Sequence, residues 1–227
     1  MASGMKVSII VPVYNEEKSI EAVLRRLLKV CQNLPSSEVI VVDDGSTDDT
    51  SRRVERFNPV RLIRHDRNQG KGAAVSTGLR NSRGNIIAIQ DADMEYRPED
   101  IPRLVEPILN GKVDAVYGSR FKGNMKGMRV SHYIGNLIIS FATRLLFGGS
   151  VTDVMTGHKA FRRKIFNPFS LKGNGFTVEI EITAEILKNR WRLMEIPIDY
   201  SYRKHGVTKI RYADGLRCLL EVIRERF

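Results

Sequence analysis

Short, almost uninterrupted apolar runs alternate with amphipathic helical stretches through the first half of this chain. That rhythm constrains the fold more than any other feature. Lys6-Val7-Ser8-Ile9-Ile10-Val11-Pro12-Val13 reads as a strand buried on both faces, because it lacks the polar alternation of a half-exposed one. Asn15 then caps a helix with Glu16 and Glu17 in its first turn. The helix's apolar positions Ile20, Val23, Leu24, Leu27 and Leu28 keep helical spacing. Glu38 to Asp43, Val60 to Arg64, Asn85 to Gln90 and Val113 to Gly118 read as further strands, with helices opening at Ser46, at about Lys71 and at Pro98. The pattern predicts an α/β fold: a mostly parallel central sheet flanked by helices, whose ligands bind beyond the carboxyl ends of the strands.

After Gly118 the rhythm breaks. A Gly/Lys/Arg-rich loop precedes an amphipathic helix over 134–147 with Ile134, Leu137, Ile138, Phe141, Ala142, Leu145 and Leu146 on one face. Glu179 to Lys188 reads as a helix and Arg192 to Tyr202 as an edge strand. A last helix carries Tyr212, Leu216, Leu219, Leu220 and Ile223 on one side. Such helices either pack on a sheet or lie in a membrane interface with cations toward headgroups.

The 227 residues are 42% hydrophobic, which excludes a disordered chain, and hold two cysteines, too few for a disulfide framework. No run reaches the length of a membrane span, and Met1 to Gly4 reads as an expression scar rather than a leader. The formal charge of +11 favours anionic partners. Nucleic acid is not expected among them, because aromatic residues make up only 7% of the chain, too few for a stacking platform along the basic runs. These features predict a cytoplasmic protein, peripheral on the cytoplasmic face of a membrane, and leave its oligomeric state open.

Three strand ends carry candidate chemistry. Asp91-Ala92-Asp93 offers two hard-oxygen donors beside a small residue, with Glu95 as a third, suited to Mg²⁺ or Mn²⁺ bridged to phosphates. An acidic turn after a strand is the bland alternative. In Asp43-Asp44-Gly45-Ser46-Thr47-Asp48, turn and cap chemistry accounts for all but Asp43, whose carboxylate can accept from a base N–H. Asn68-Gln69-Gly70-Lys71-Gly72 matches neither the Walker nor the dinucleotide pattern, and its glycines either shape the start of a helix or meet a ligand. Asp153 is a general base or a turn cap.

In order, Val7 to Glu17, Val41 to Asp48, Gly70-Lys71-Gly72, Asp91-Ala92-Asp93 and Gly118-Ser119-Arg120-Phe121 resemble the inverting glycosyltransferases of family 2, in the dolichyl- or polyprenyl-phosphate mannose and glucose synthase branch. The resemblance implies a GT-A-type nucleotide-sugar fold over residues 5–227, with a nucleotide-sugar half at 5–121 and an acceptor half at 122–227. It implies that Pro12, Tyr14, Glu16, Asp43, Asp91 and Ala92 hold the nucleotide sugar, and that Asp91, Asp93 and Glu95 hold the metal. Glu95 stands where the mannose synthases often carry Gln. Arg120, Arg129 and Ser131 would meet the lipid-phosphate acceptor, and Arg203 and Lys209 would close over the donor. GDP-mannose is the favoured donor, with UDP-glucose or a UDP-N-acetylhexosamine as alternatives. A non-catalytic nucleotide-sugar or polyanion binder is the rival of another class.

Overall fold

A computed structural model describes residues 6–166, 171, 173, 175–202 and 212–227. Its strands are β1 (Val7–Val13), β2 (Ser37–Asp43), β3 (Arg61–Arg64), β4 (Ile86–Ile89), β5 (Ala115–Ser119), β6 (Met125–Lys126), β7 (Lys159–Arg162), β8 (Leu193–Pro197) and β9 (Tyr200–Ser201). Its helices are α1 (Ile20–Cys31), α2 (Thr50–Val54), α3 (Lys71–Asn81), α4 (Ile101–Leu109), α5 (Val130–Phe147), α6 (Val178–Lys188) and α7 (Tyr212–Arg224). Among the described residues, seven strands form one sheet in the order β3-β2-β1-β4-β7-β5-β8, and β6 pairs with β9 in a small ribbon.

Strand alternation explains the layers. Val7, Ile9 and Val11 of β1 face α1 and α4 in one core, and Ile10 faces α3 and α6 in the other. With both faces covered, β1 is buried throughout, as its apolar run requires. The remaining pairs run parallel, but β7 is antiparallel to both β4 and β5. The segment leading into β7 therefore arrives at the carboxyl ends of its neighbours.

Several expected boundaries move. α1 begins at Ile20 rather than beside Asn15, because Asn15 takes a left-handed φ of 49° and is tied elsewhere. Its amide donates to Ser46 Oγ at 2.9 Å, and its side-chain oxygen accepts from the Thr47 amide at 2.8 Å. α2 begins at Thr50, not Ser46, whose amide is drawn onto Asp43 Oδ1. β7 was not expected: it has four residues and opens on a buried lysine.

α5 and α7 differ most from expectation. α5 buries Ile139 together with Ser140 and Thr143, while Ile134, Leu137, Ile138, Phe141 and Leu145 are exposed. The hydroxyls tolerate burial because both are bonded: Ser140 Oγ accepts from the Val154 amide, and Thr143 Oγ1 donates to the Ile139 carbonyl. On α7, Cys218 and Val222 are buried and Leu216, Leu220 and Ile223 are exposed. The two helices pack on each other. No described helix is long and apolar enough to cross a membrane.

Candidate active site

The loops after β1 and β2 are knitted to each other by main-chain amides. The Asp44 amide donates to the Val13 carbonyl, the Glu16 amide to Thr50 Oγ1, and the Glu17 amide to Asp48 Oδ2. Pro12 is buried within β1, Tyr14 is half-buried at its end, and Glu16 is buried and accepts from Ser19 Oγ. Asp43 is buried, with Oδ1 accepting from the Ser46 amide and Oδ2 from the Ser51 hydroxyl. Turn formation thus gives Asp43 a duty that the sequence had not supplied. Asp44 accepts from the Gln69 and Gly70 amides and bonds His65, which pins the 65–70 loop across the second strand end.

Asp91-Ala92-Asp93 follows β4 at the same edge. Asp93 Oδ1 accepts from the Glu95 amide at 3.0 Å, and Met94 between them has a φ of 64°. For a non-glycine residue that conformation is strained. The Glu95 side chain bonds Tyr200, and the Ser201 amide donates to the Glu95 carbonyl, so the acidic loop is stapled to β9.

Behind Asp91 lies a buried chain of alternating charge. Lys71 Nζ stands 2.7 Å from Asp91 Oδ1 and 3.0 Å from Glu179 Oε1, and Glu179 also pairs with Lys159. Lys159 is wholly buried and donates to the Val154 and Thr156 carbonyls as well. Burial drives the Asp91 carboxyl upward, but the Lys71 ammonium outweighs it and holds the group below the usual carboxylate range. Burial likewise opposes the charge on Lys71, and the two carboxylates reverse that and raise its pKa. For Lys159 burial prevails and the pKa falls. His158, stacked on Tyr96 at 5.5 Å, is pushed down to about 4 by burial against the pull of Asp91, so it is neutral at pH 7.

Asp153 precedes β7 and meets Arg120 in a fork. Nε donates to Oδ2 at 2.8 Å, Nη2 to Oδ1 at 2.7 Å, and the Arg120 amide to Oδ2 at 3.0 Å. Both side chains are buried. Glu195 of β8 accepts from the Thr152 and Asp153 amides and pairs with Lys122, which fixes the loop that carries Asp153. Arg129 and Ser131 are exposed at the amino end of α5, with the Arg129 guanidinium 5.9 Å from the Tyr202 ring centre. Arg203 and Lys209 lie outside the described residues.

The structure therefore brings the ends of β1, β2, β4 and β5 and the start of β7 to one edge, as sequence reasoning expected of the first four. Lys71, Glu179, Lys159 and His158 escaped that reasoning. Only the glycines flanking Lys71 drew attention, and Glu179 read as an ordinary helix residue.

Among the described residues no three His, Cys, Asp or Glu side chains converge as a closed metal cage. The donor chemistry nonetheless fits Mg²⁺ or Mn²⁺, which in phosphate-handling sites take one or two carboxylates and complete their shell with substrate oxygens and water. Asp91 and Asp93, on a bent loop at the sheet edge, are donors of that kind.

A glycosyl transferase family 2 profile matches residues 8–169. A dolichol-phosphate mannosyltransferase of Pyrococcus furiosus is 30% identical over 224 residues, covering 91% of this chain and 60% of its own length. A UDP-N-acetylglucosamine–dolichyl-phosphate N-acetylglucosaminyltransferase of Methanococcus voltae is 33% identical, covering 88% of each chain. This chain thus spans under two thirds of the first relative and most of the second. Glucosyl-3-phosphoglycerate synthase of Mycobacterium tuberculosis, crystallised with Mn²⁺ and UDP-glucose, superposes with a TM-score of 0.80 at 24% identity, covering 98% of this chain and 79% of that one. The solved likeness gives the fold. With acidic loops gathered at the carboxyl edge of that fold and a profile matched across most of the chain, this protein belongs to glycosyl transferase family 2 and is a glycosyltransferase.

Proposed function

We propose that this glycosyltransferase moves a hexose from a nucleotide sugar, GDP-mannose being favoured, to a polyprenyl or dolichyl phosphate with inversion at the anomeric carbon. The observation that carries the acceptor class is the fork on Asp153. A sugar hydroxyl needs a general base, and Asp153 is the candidate the sequence offers, yet Arg120 engages both of its oxygens. A phosphate monoester, with a second pKa near 6, is already an oxyanion at neutral pH and needs only positioning. The names of the archaeal relatives support the same acceptor class.

In this reading Pro12, Tyr14, Glu16 and Asp43, at and just after the ends of β1 and β2, hold the nucleoside. Asp91 and Asp93 would hold Mg²⁺ or Mn²⁺, which would neutralise the charge gathering on the departing diphosphate, while the Glu95 side chain bonds Tyr200. Arg203 and Lys209 would cover the donor. Arg129 and Ser131, at the amino end of an 18-residue helix, would meet the acceptor phosphate, where unpaired amides and the helix dipole favour an anion. The outward apolar residues of α5 and α7 would then rest on the cytosolic membrane surface beside the lipid tail.

The relative named for UDP-N-acetylglucosamine favours a second reading, with a UDP-sugar as donor. One experiment separates the two: GDP-mannose, UDP-glucose and UDP-N-acetylglucosamine are each offered with Mn²⁺ and a short polyprenyl phosphate, and nucleoside diphosphate release is followed. Release with GDP-mannose that requires the lipid phosphate is expected. Asp93→Ala should reduce it by about 10³-fold or more, of the order that loss of transition-state charge stabilisation produces. Release that appears only when a sugar alcohol replaces the polyprenyl phosphate in a parallel reaction would refute the assignment.

A further inference from the structure

We propose that Lys71 is a positioning residue for Asp91-Ala92-Asp93: with Glu179 behind it, its ammonium fixes the orientation of the Asp91 carboxylate on which the donor site is built. The proposal deepens the nucleotide-sugar reading above and rests on it. Four observations lead to it.

Lys71 is the first residue of α3, where the helix dipole disfavours a cation. A purely local role would place a neutral or acidic side chain there, so the charge answers to something else. That something is on both sides of it: Asp91 at 2.7 Å and Glu179 at 3.0 Å, with the Lys71 side chain only 15% exposed.

The start of α3 is also fixed in place. A Cβ on Gly72 would lie 1.8 Å from the Gly173 carbonyl oxygen, so the helix end presses directly on the backbone ahead of α6, the helix that supplies Glu179. Gly157 crowds the same pair. A Cβ there would fall 2.0 Å from Asp91 Oδ2 and 3.0 Å from Lys71 Nζ, so only bare backbone fits beside the carboxylate and its ammonium. Elements from three parts of the chain thus converge to set one side chain.

Stability alone explains the arrangement poorly. Apolar side chains of similar volume often replace a buried ion pair without loss, so retained buried charge argues for geometry. Partners that orient a ligand-bearing carboxylate typically change metal affinity or activity roughly 10–100-fold when removed.

The test is the double variant Lys71→Met/Glu179→Gln, which removes one positive and one negative charge and so keeps the net charge of the cluster. Affinity for Mn²⁺ with UDP, and for Mn²⁺ with GDP, is measured by calorimetry in the absence of acceptor, and donor and acceptor KM values are measured separately. The expected result is a fall of roughly tenfold or more in Mn²⁺-nucleotide affinity. Donor KM should rise and acceptor KM should hold; the melting temperature should fall by about 10 °C because Lys159 loses its Glu179 partner, with the variant still folded at the assay temperature. Parent-like binding and turnover would overturn the proposal, as would a loss of binding that merely tracks a collapsed melting temperature. Single Glu179→Gln, expected to weaken Mn²⁺-nucleotide binding in the same direction, decides the matter should the double variant not fold. If the parent released no nucleoside diphosphate from any donor while the variant still lost Mn²⁺-nucleotide affinity, the transferase reading would fall and the role of Lys71 would stand.

Discussion

Each carboxylate oxygen of Asp153 meets a different nitrogen of Arg120, and neither side chain reaches solvent to any extent. Asp153→Asn would leave a buried guanidinium without its counter-charge, a change of roughly 3–5 kcal/mol. In a chain of this size that corresponds to a melting temperature about 10 °C lower, readable by scanning calorimetry. That stability loss follows from the pair whichever role Asp153 has; turnover by the folded variant separates the roles, since removing a catalytic base would abolish it. At this scale the sequence was legible for residue types that stand directly after strands: Asp91, Asp93 and Asp43 all fall at the expected edge. It was illegible for pairings. Arg120 and Asp153 lie 33 positions apart, and nothing in either local pattern marks the other as its partner. Lys71 and Glu179 escaped for the same reason.

Among the elements, Asp114 shows how strand ends are sewn together. It precedes β5 and accepts from Arg162 at the end of β7 and from Arg192 just before β8. The hydrogen bond from Arg192 is the main cause that holds its carboxyl below the ordinary range, against a smaller upward push from burial. On acidification the unfolded chain therefore takes up this proton first. The stabilisation is complete above the unfolded pKa of about 4 and disappears as pH falls through the lower folded value. Asp114→Asn should melt roughly 3 °C lower at pH 7, with the gap to the parent closing below about pH 4, in thermal scans across a pH series. The parallel strands were readable because runs such as Ile86-Ile87-Ala88-Ile89 admit no amphipathic helix. β7 was not, because Lys159 reads as a surface residue until Glu179 and two carbonyls are seen around it. The starts of α1 and α2 shifted because the two loops satisfy each other's amides, which local capping rules do not anticipate.

For the whole molecule, a formal charge of +11 accompanies outward-facing Phe141, Leu145, Leu216 and Leu220. The amphipathic spacing of both helices was legible. Which side each would bury was not, since that depends on Ser140 and Thr143 finding partners. Because the outward residues contribute little to the core, Phe141→Ser with Leu145→Ser should leave the melting temperature within about 1–2 °C. The same variant should lose binding to vesicles containing anionic lipid, measured by co-sedimentation. Unchanged sedimentation would remove these helices from the membrane reading.

The reversed strand has a bearing on how the polypeptide is made. β4 and β5 leave the ribosome well before the segment that bridges them, so a nascent chain that has reached residue 121 carries unbridged rows of amides and carbonyls on both. Until residue 162 emerges, those rows are open to pairing with neighbouring polypeptides, the condition under which growing chains aggregate.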